Sequence, residues 1–316
     1  MKLVVITGCL GLIGSHVTRK CLEKGWKVYG IDKMTYAAET DFLKEFKINE
    51  NFTFIKEDIC DLKILPDCDY VINLAAESHV GNSIINSEEF VRTNIVGVQN
   101  LLNLIKNKPI NVFERPLFIH FSTDEVYGDI INGSHLETDA LCPSNPYSAS
   151  KAAADMLILA WSRTFGLDYV IVRPTNNYGI GQYPEKLIPL TIKALSRKKI
   201  IKLHNKGTPI RNWLHSDDTA EAIIKIIESG TKNEIFNISG GFEQTNKQTV
   251  EKILINFFDH SVSPNDYIDL SYVREGQDVR YAINDEKIKK LGWCPKKKFD
   301  EEIREIVLYY KNKFRW

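Results

Sequence analysis

Two short segments carry side chains suited by type and spacing to proton-transfer chemistry. The first, Ser122-Thr123-Asp124-Glu125-Val126-Tyr127-Gly128, sets two carboxylates beside two hydroxyls. An acid pair can divide the donation and acceptance of protons only where its surroundings separate the two pKa values. Asp124 and Glu125 are chain neighbours, so an extended backbone would point them to opposite sides, and a turn is required to aim both at one substrate. A solvated acidic loop is the alternative. The second segment, Tyr147-Ser148-Ala149-Ser150-Lys151, places a phenol and an amine four residues apart, on one face of a helix. A nearby ammonium lowers a phenol from about 10 toward neutrality, which makes Tyr147 a candidate proton acceptor. The spacing alone marks nothing, since Tyr29/Lys33 and Tyr309/Lys313 share it. Tyr29 falls in a candidate strand, where residues four apart are too distant to couple, and Tyr309 falls in a terminal helix. Only Tyr147 follows Pro143 and Pro146, punctuation that should start a helix.

A third segment suits the binding of a dinucleotide. Gly8, Gly11 and Gly14, with Leu12 and Ile13 between the last two, join a candidate first strand to a candidate first helix. Glycines there allow a tight turn and close approach of a pyrophosphate to the free N–H groups of the helix start. Asp32 ends the second candidate strand about twenty residues on, where a carboxylate can accept hydrogen bonds from a ribose and repel a 2′-phosphate. This favours NAD over NADP, with Lys33 next door acting in the opposite sense; a strand-end carboxylate capping a turn is the alternative. Asp58-Ile59 follow the third strand, and Leu74-Ala75-Ala76 close the fourth with small residues against which a cofactor can lie.

The elements that must position these groups follow from periodicity. β-branched runs at 2–7, 27–32, 52–55, 70–73, 117–121 and 169–172 alternate with helical patterns at 12–24, 88–106 and 148–165, and a seventh strand at 234–238 returns to the sheet. Further helical patterns cover 217–229, 247–258 and 300–312. The expected fold is α/β, a Rossmann-type doubly wound parallel sheet with a smaller, discontinuous α/β substrate-binding lobe. Residues 1–178 with about 210–238 form the nucleotide-binding domain in this reading, and about 179–209 with 239–316 the lobe. After Gly179 regular alternation fails, punctuated by Pro184, Pro189, Gly207 and Pro209.

The chain has 316 residues, 43% hydrophobic and 26% charged, enough for a sizeable core without disulfides. Forty-one Lys+Arg balance 41 Asp+Glu, so no global field attracts nucleic acid or an anionic membrane. Six cysteines lack CxxC or zinc-like spacing and read as reduced thiols, no metal site is expected, and no apolar run reaches the length of about 18 residues needed to span a membrane. The N-terminal apolar run is too short for a signal sequence, and the expected location is the cytoplasm.

Taken together, these segments resemble the extended short-chain dehydrogenase/reductases, and specifically the nucleotide-sugar 4,6-dehydratases of the dTDP-glucose type. GCLGLIG, DKMTY, EDI, NLAAESHV, STDEVYG, YSASK, NNYG, PEKLIP, RNWLHSDD, NISGG and REGQDVRYAI occur in the family's order over nearly the whole chain. STDEVYG separates dehydratases from epimerases, which usually lack the acid pair, and from decarboxylases, which typically read STSEVYG. The resemblance implies that Tyr147, assisted by Lys151, takes the proton of the hexose 4-hydroxyl while NAD takes hydride from carbon 4. Glu125 then removes the carbon 5 proton, Asp124 protonates the departing 6-hydroxyl, Thr123 holds the 4-oxygen, and hydride returns to carbon 6. It further implies substrate contacts from Ser78, Asn177, Lys186, Leu187, Arg211, Asn212, Arg274, Gln277 and Arg280, and a homodimer built on the helices at 88–106 and 148–165. The chain departs from the family pattern at Gly81-Asn82, where an acid and a base are usual, at Asn212, often Asp, and at Gln277, often His. One methyl separates thymine from uracil, leaving dTDP-glucose and UDP-glucose both open as substrates. A deoxyhexose route such as that to rhamnose is implied only by the family. The competing readings are an epimerase or decarboxylase of the same superfamily, and a non-enzymatic NAD-binding regulator.

Overall fold

The computed structural model describes residues 1–108, 115–273 and 278–314. Arg274 and Gln277, two expected substrate contacts, lie outside the described residues. Six strands alternate with helices through the first half: β1 (Leu3–Thr7), β2 (Lys27–Ile31), β3 (Phe52–Ile55), β4 (Tyr70–Asn73), β5 (Leu117–Phe121) and β6 (Tyr169–Pro174). They are followed by β7 (Asn176–Tyr178), β8 (Ile201–Lys202), β9 (Ile210–His215), β10 (Glu234–Ile238), β11 (Glu243–Thr245) and β12 (Ile268–Asp269). The central sheet is parallel, in the order β10-β6-β5-β4-β1-β2-β3. Strand order reverses between β1 and β4, and ligand crevices form outside the carboxyl ends of strands at such a reversal. Val4, Val5, Ile6, Val71, Ile72, Phe118 and Ile119 are fully buried because helices cover both faces.

One apolar core packs the helix Leu12–Glu23 and the helix Ser216–Ser229 on one face of the sheet; a second packs Val98–Lys106 and Pro146–Phe165 on the other. A third core, apart from the sheet, gathers Tyr178, Ile188, Ile192, Trp213, Ile253, Phe299, Ile303 and Tyr310. The helix Leu187–Ser196, absent from the periodicity reading, supplies part of it. Pro184 and Pro189 read as loop punctuation, but Pro189 lies in the helix's first turn, where a missing N–H costs nothing. The expected continuous helix at 88–106 is instead Glu88–Val91, a π-helical turn over Arg92–Gly97, and Val98–Lys106. The turn presents Thr93 and Asn94 inward, and Asn94 donates to Ser150 Oγ at 2.9 Å and to the Glu77 carbonyl at 3.0 Å. Such bulges occur where side chains must be re-aimed.

Candidate active site

The crevice at the carboxyl ends of β1, β4, β5 and β6 is one groove with two halves. Gly8, Gly11, Asp32, Lys33, Asp58, Ile59, Leu74, Ala75 and Ala76 line the first half. The second is a cavity of about 290 Å³ that shares Gly8, Gly11, Leu74 and Ala76 with it and adds Leu12, Ile13, Gly14, Ser78, Thr123, Asp124, Glu125, Tyr147, Lys151, Asn177 and Lys186.

The first half is made largely of backbone. Gly8 has φ +69°, and a Cβ there would stand 2.7 Å from the Ala75 nitrogen. A Cβ on Gly14 would run into the Gly8 carbonyl. The helix Leu12–Glu23 has no side-chain cap, so its first-turn N–H groups face the groove in the manner of an anion site. Asp32 accepts from Leu10 N at 3.1 Å and Met34 N at 2.7 Å, which holds its carboxylate at the groove wall. Lys33 does not build a phosphate site, because its amine lies 3.6 Å from Asp58 and 3.8 Å from Glu77. A dinucleotide with an unphosphorylated ribose fits this cradle of free amides, glycines and acids. Tyr36, beside the groove, makes an edge contact with Tyr183 and donates to Glu185 Oε2 at 3.2 Å, bridging the two walls.

The second half is made of buried ionisable groups. After β5 the chain enters a 3₁₀ turn, Asp124–Tyr127, started by Thr123 Oγ1, which accepts from Glu125 N at 3.3 Å. This turn is what brings the adjacent Asp124 and Glu125 into one cavity. Asp124 is pushed up to about 8 by burial and by the Glu125 charge. Burial also raises Glu125, while the Arg211 and Lys186 charges oppose that rise. Burial thus raises both acids, and the Lys186 charge opposes the rise at Glu125.

Asn145 starts the next helix, Pro146–Phe165, with a capping box and Pro146 in its first turn, and Tyr147 and Lys151 are both buried on its inner face. Burial lowers Lys151 to about 8. The sequence expectation of a lowered Tyr147 is corrected here: burial and the Glu125 charge hold the phenol above its ordinary value, and a hydrogen bond with Thr123 only partly opposes them. Beneath the loop, Arg173 donates to Asp155 Oδ2 at 3.0 Å and Tyr127 OH at 2.6 Å, and Asp155 also accepts from Ser122 at 3.0 Å. Removing one member of such a buried pair costs about 3–5 kcal/mol, so this network fixes the acid turn against the helix.

The expected substrate contacts divide. Ser78, Asn177 and Lys186 line the cavity, and Lys186 donates to the Ser78 carbonyl at 2.6 Å across it. Arg211 is buried against Tyr281 and donates to the Asp278 carbonyl at 3.3 Å, close enough for its charge to reach both acids. Leu187 opens the lobe helix and packs on the third core, and Asn212 accepts from Thr175 Oγ1 at 3.4 Å. Arg280 is clamped bidentately to Glu243 at 3.0 and 2.9 Å and donates to the Gly133 carbonyl. It does not line the cavity, and its role in the structure is to tie the 130–133 loop to β11. At the departure from the family pattern, Gly81-Asn82 lie in the first turn of a short helix, Val80–Ile85, capped by His79, whose Nδ1 accepts from Asn82 N at 3.1 Å.

Sequence reasoning missed several groups. Asn176 lines the cavity with a buried Oδ1 that has no partner among the described residues, as does Asp124 Oδ2. Tyr281 reaches Glu125 Oε2 at 3.4 Å and also bonds Asp278. The doubled asparagine and the polar residues inside REGQDVRYAI were the available signals. His120, 3.3 Å from Lys151 Nζ, carried one too: it interrupts an otherwise apolar strand.

Residues 5–306 match the model of the family described as GDP-mannose 4,6 dehydratase. The chain belongs to that family. It is 38% identical to dTDP-glucose 4,6-dehydratase of Neisseria meningitidis serogroup B, covering 100% of this chain and 95% of that protein. It is likewise 38% identical to the low-salt glycan biosynthesis protein Agl12 of Haloferax volcanii, covering 97% and 98%. Among solved structures, the dTDP-glucose 4,6-dehydratase DesIV of Streptomyces venezuelae, with NAD and TYD bound, superposes with a TM-score of 0.91 at 34% identity over 98% of this chain and 97% of that one. A UDP-glucuronic acid 4-epimerase of Bacillus cereus also superposes, at 0.90, with 25% identity over 98% and 99%. The fold is thus common to a dehydratase and an epimerase.

Proposed function

We propose that the protein is a nucleotide-sugar 4,6-dehydratase that converts dTDP-glucose or UDP-glucose to the 4-keto-6-deoxyglucose nucleotide and water. The observation that carries this reading is a buried acid pair, Asp124 and Glu125, sharing one cavity with Tyr147 and Lys151. Gly8, Gly11–Gly14, Asp32 and Ala75 would hold NAD, which when bound would supply the acceptor for the carbon 4 hydride and its return to carbon 6. Tyr147 takes the 4-hydroxyl proton, and Lys151 offsets the phenolate charge that burial opposes. The ketone formed at carbon 4 acidifies the carbon 5 hydrogen, which Glu125 removes. Asp124, still protonated near neutrality, gives its proton to the 6-oxygen, and water leaves across carbons 5 and 6. Lys186 and Arg211 supply the positive charge for the diphosphate. An epimerase would need no such acid beside the base.

The division into a nucleotide-binding domain (1–178 with about 210–238) and a sugar-nucleotide lobe is supported by the third, separate core. A homodimer is supported by exposed Val91, Val96 and Met156 on the helical face of residues 88–106 and 146–165. A cytoplasmic enzyme serving deoxyhexose synthesis is supported by the family resemblance; among the described residues no helix is long and apolar enough to cross a membrane. The deciding experiment incubates the protein with dTDP-glucose and UDP-glucose in parallel and weighs the sugar nucleotides by mass spectrometry. Loss of one water establishes the dehydratase, and the two rates rank the bases. An unchanged mass with inverted sugar configuration would establish an epimerase instead.

A further inference from the structure

A row of polar side chains crosses the middle of the central sheet, where a parallel sheet covered on both faces ordinarily buries hydrocarbon. Register sets Thr7 of β1 beside Asn73 of β4, and Asn73 beside His120 of β5, and all three are buried. Thr7 Oγ1 donates to Asn73 Oδ1 at 2.6 Å, Asn73 Nδ2 lies 3.0 Å from His120 Nδ1, and His120 Nε2 lies 3.3 Å from Lys151 Nζ. At the far end Thr7 Oγ1 accepts the Ala75 N–H at 3.3 Å, in the wall of the cofactor groove. The mechanism above uses Lys151 and leaves the rest of the row without a part.

We propose that His120 is a positioning residue for the oxidation step, which fixes the Lys151 amine through Nε2 and keeps it charged by exchanging tautomers with the Asn73–Thr7 row. The reaction this serves rests on the dehydratase reading; the row itself does not.

An ammonium has donors only. Beside a charged Lys151, Nε2 must accept, the ring proton sits on Nδ1, and the Asn73 amide turns its oxygen toward His120 and its nitrogen toward Thr7. Beside a neutral Lys151 the amine can accept, Nε2 carries the proton, and the row runs the other way, with Asn73 Nδ2 donating to Nδ1. The ring stays neutral in both, because burial and the Lys151 charge hold it well below the ordinary histidine range. The remaining charged and titratable groups about the pair are Asp155 one turn along the same helix, Arg173 of β6 bonded to it, and Tyr147, Asp124 and Glu125 toward the cavity. His120, from β5, is the group that stands within hydrogen-bond distance of the amine.

The test uses the full-length, NAD-loaded protein. Rapid mixing with dTDP-glucose reads reduced nicotinamide in the first turnover across pH. His120→Phe removes the acceptor, so Lys151 should lose its proton at lower pH; the first-turnover rate near pH 8 should drop about fivefold, and the alkaline limb should move down by about one pH unit. His120→Gln, which keeps an acceptor, should restore most of the rate. Thr7→Val should move the limb in the same direction by less. An unmoved limb in His120→Phe, or a His120→Gln as slow as His120→Phe, overturns the proposal. A second readout needs no substrate: ¹⁵N-histidine spectra should show the His120 tautomer exchanging as pH rises through about 8, where Lys151 titrates, and held in one form by Lys151→Met. One unchanging tautomer in the native protein overturns the proposal even if the enzyme is an active dehydratase, and exchange in a protein inert toward both nucleotides leaves it standing while the dehydratase reading falls.

Discussion

The two halves of the groove are built from different materials. The cofactor half is largely backbone, glycine and alanine, with the wall carboxylate of Asp32 held by two amides, and its chemistry is a matter of shape. The reaction half is a set of buried ionisable side chains whose pKa values are moved by burial and by one another. Damage to the first half should therefore be steric and nearly independent of pH, and damage to the second should be electrostatic and strongly dependent on it. The same turn and helix that aim the acids also remove them from water, so aim and pKa cannot be changed separately there.

The sharpest test of that contrast is Asp124→Asn. Loss of the general acid should slow elimination about 10²–10⁴-fold while oxidation at carbon 4 persists, so reduced nicotinamide should accumulate on adding substrate. An unchanged turnover rate would remove Asp124 from the acid role. Next, Gly8→Val should weaken NAD retention about a hundredfold at every pH, since a side chain there meets both a left-handed backbone and the Ala75 nitrogen. Bound nicotinamide after gel filtration measures this, and a pH-dependent loss would break the contrast. Native turnover should fall as pH rises through about 8, where Asp124 loses its proton and Lys151 its charge. The stability of the fold carries the same signature. Asp124 titrates higher folded than unfolded, so its contribution is fully present below the unfolded value near 3.8 and is lost as pH rises through about 8. Asp124→Asn should accordingly melt about 2–4 °C above the native protein near pH 8, and the difference should shrink toward pH 4. The smallest effect belongs to the bridge between the walls: Tyr36→Ala should speed NAD release a few-fold, read by dilution into apo buffer, with no change in pH profile.

Legibility in the sequence differed between the same two halves. The glycine segment, Asp32 and the small residues after β4 were readable because their job is done by local backbone conformation, which neighbouring residues dictate. The six leading strands were readable for a related reason, since short β-branched runs bounded by turn residues are local patterns. The lobe helix Leu187–Ser196 was not, because a first-turn proline and a loop proline look alike without the chain's path. In the reaction half, residue types and the need for a turn were legible. The raised Tyr147, the clamped Arg280 and the unpartnered Asn176 oxygen were not, because each depends on segments far away in sequence.

The sequence by itself determined the parallel sheet, the nucleotide cradle and the identity of Thr123, Asp124, Glu125, Tyr147 and Lys151 as the candidate chemical set. Only the tertiary structure decided that Asp124 holds a proton near neutrality, which cations stand near the acids, and that His120 stands behind Lys151. Those outcomes depend on desolvation and through-space charge, which packing sets when β1, β4 and β5 come into register, and no local stretch of chain encodes them.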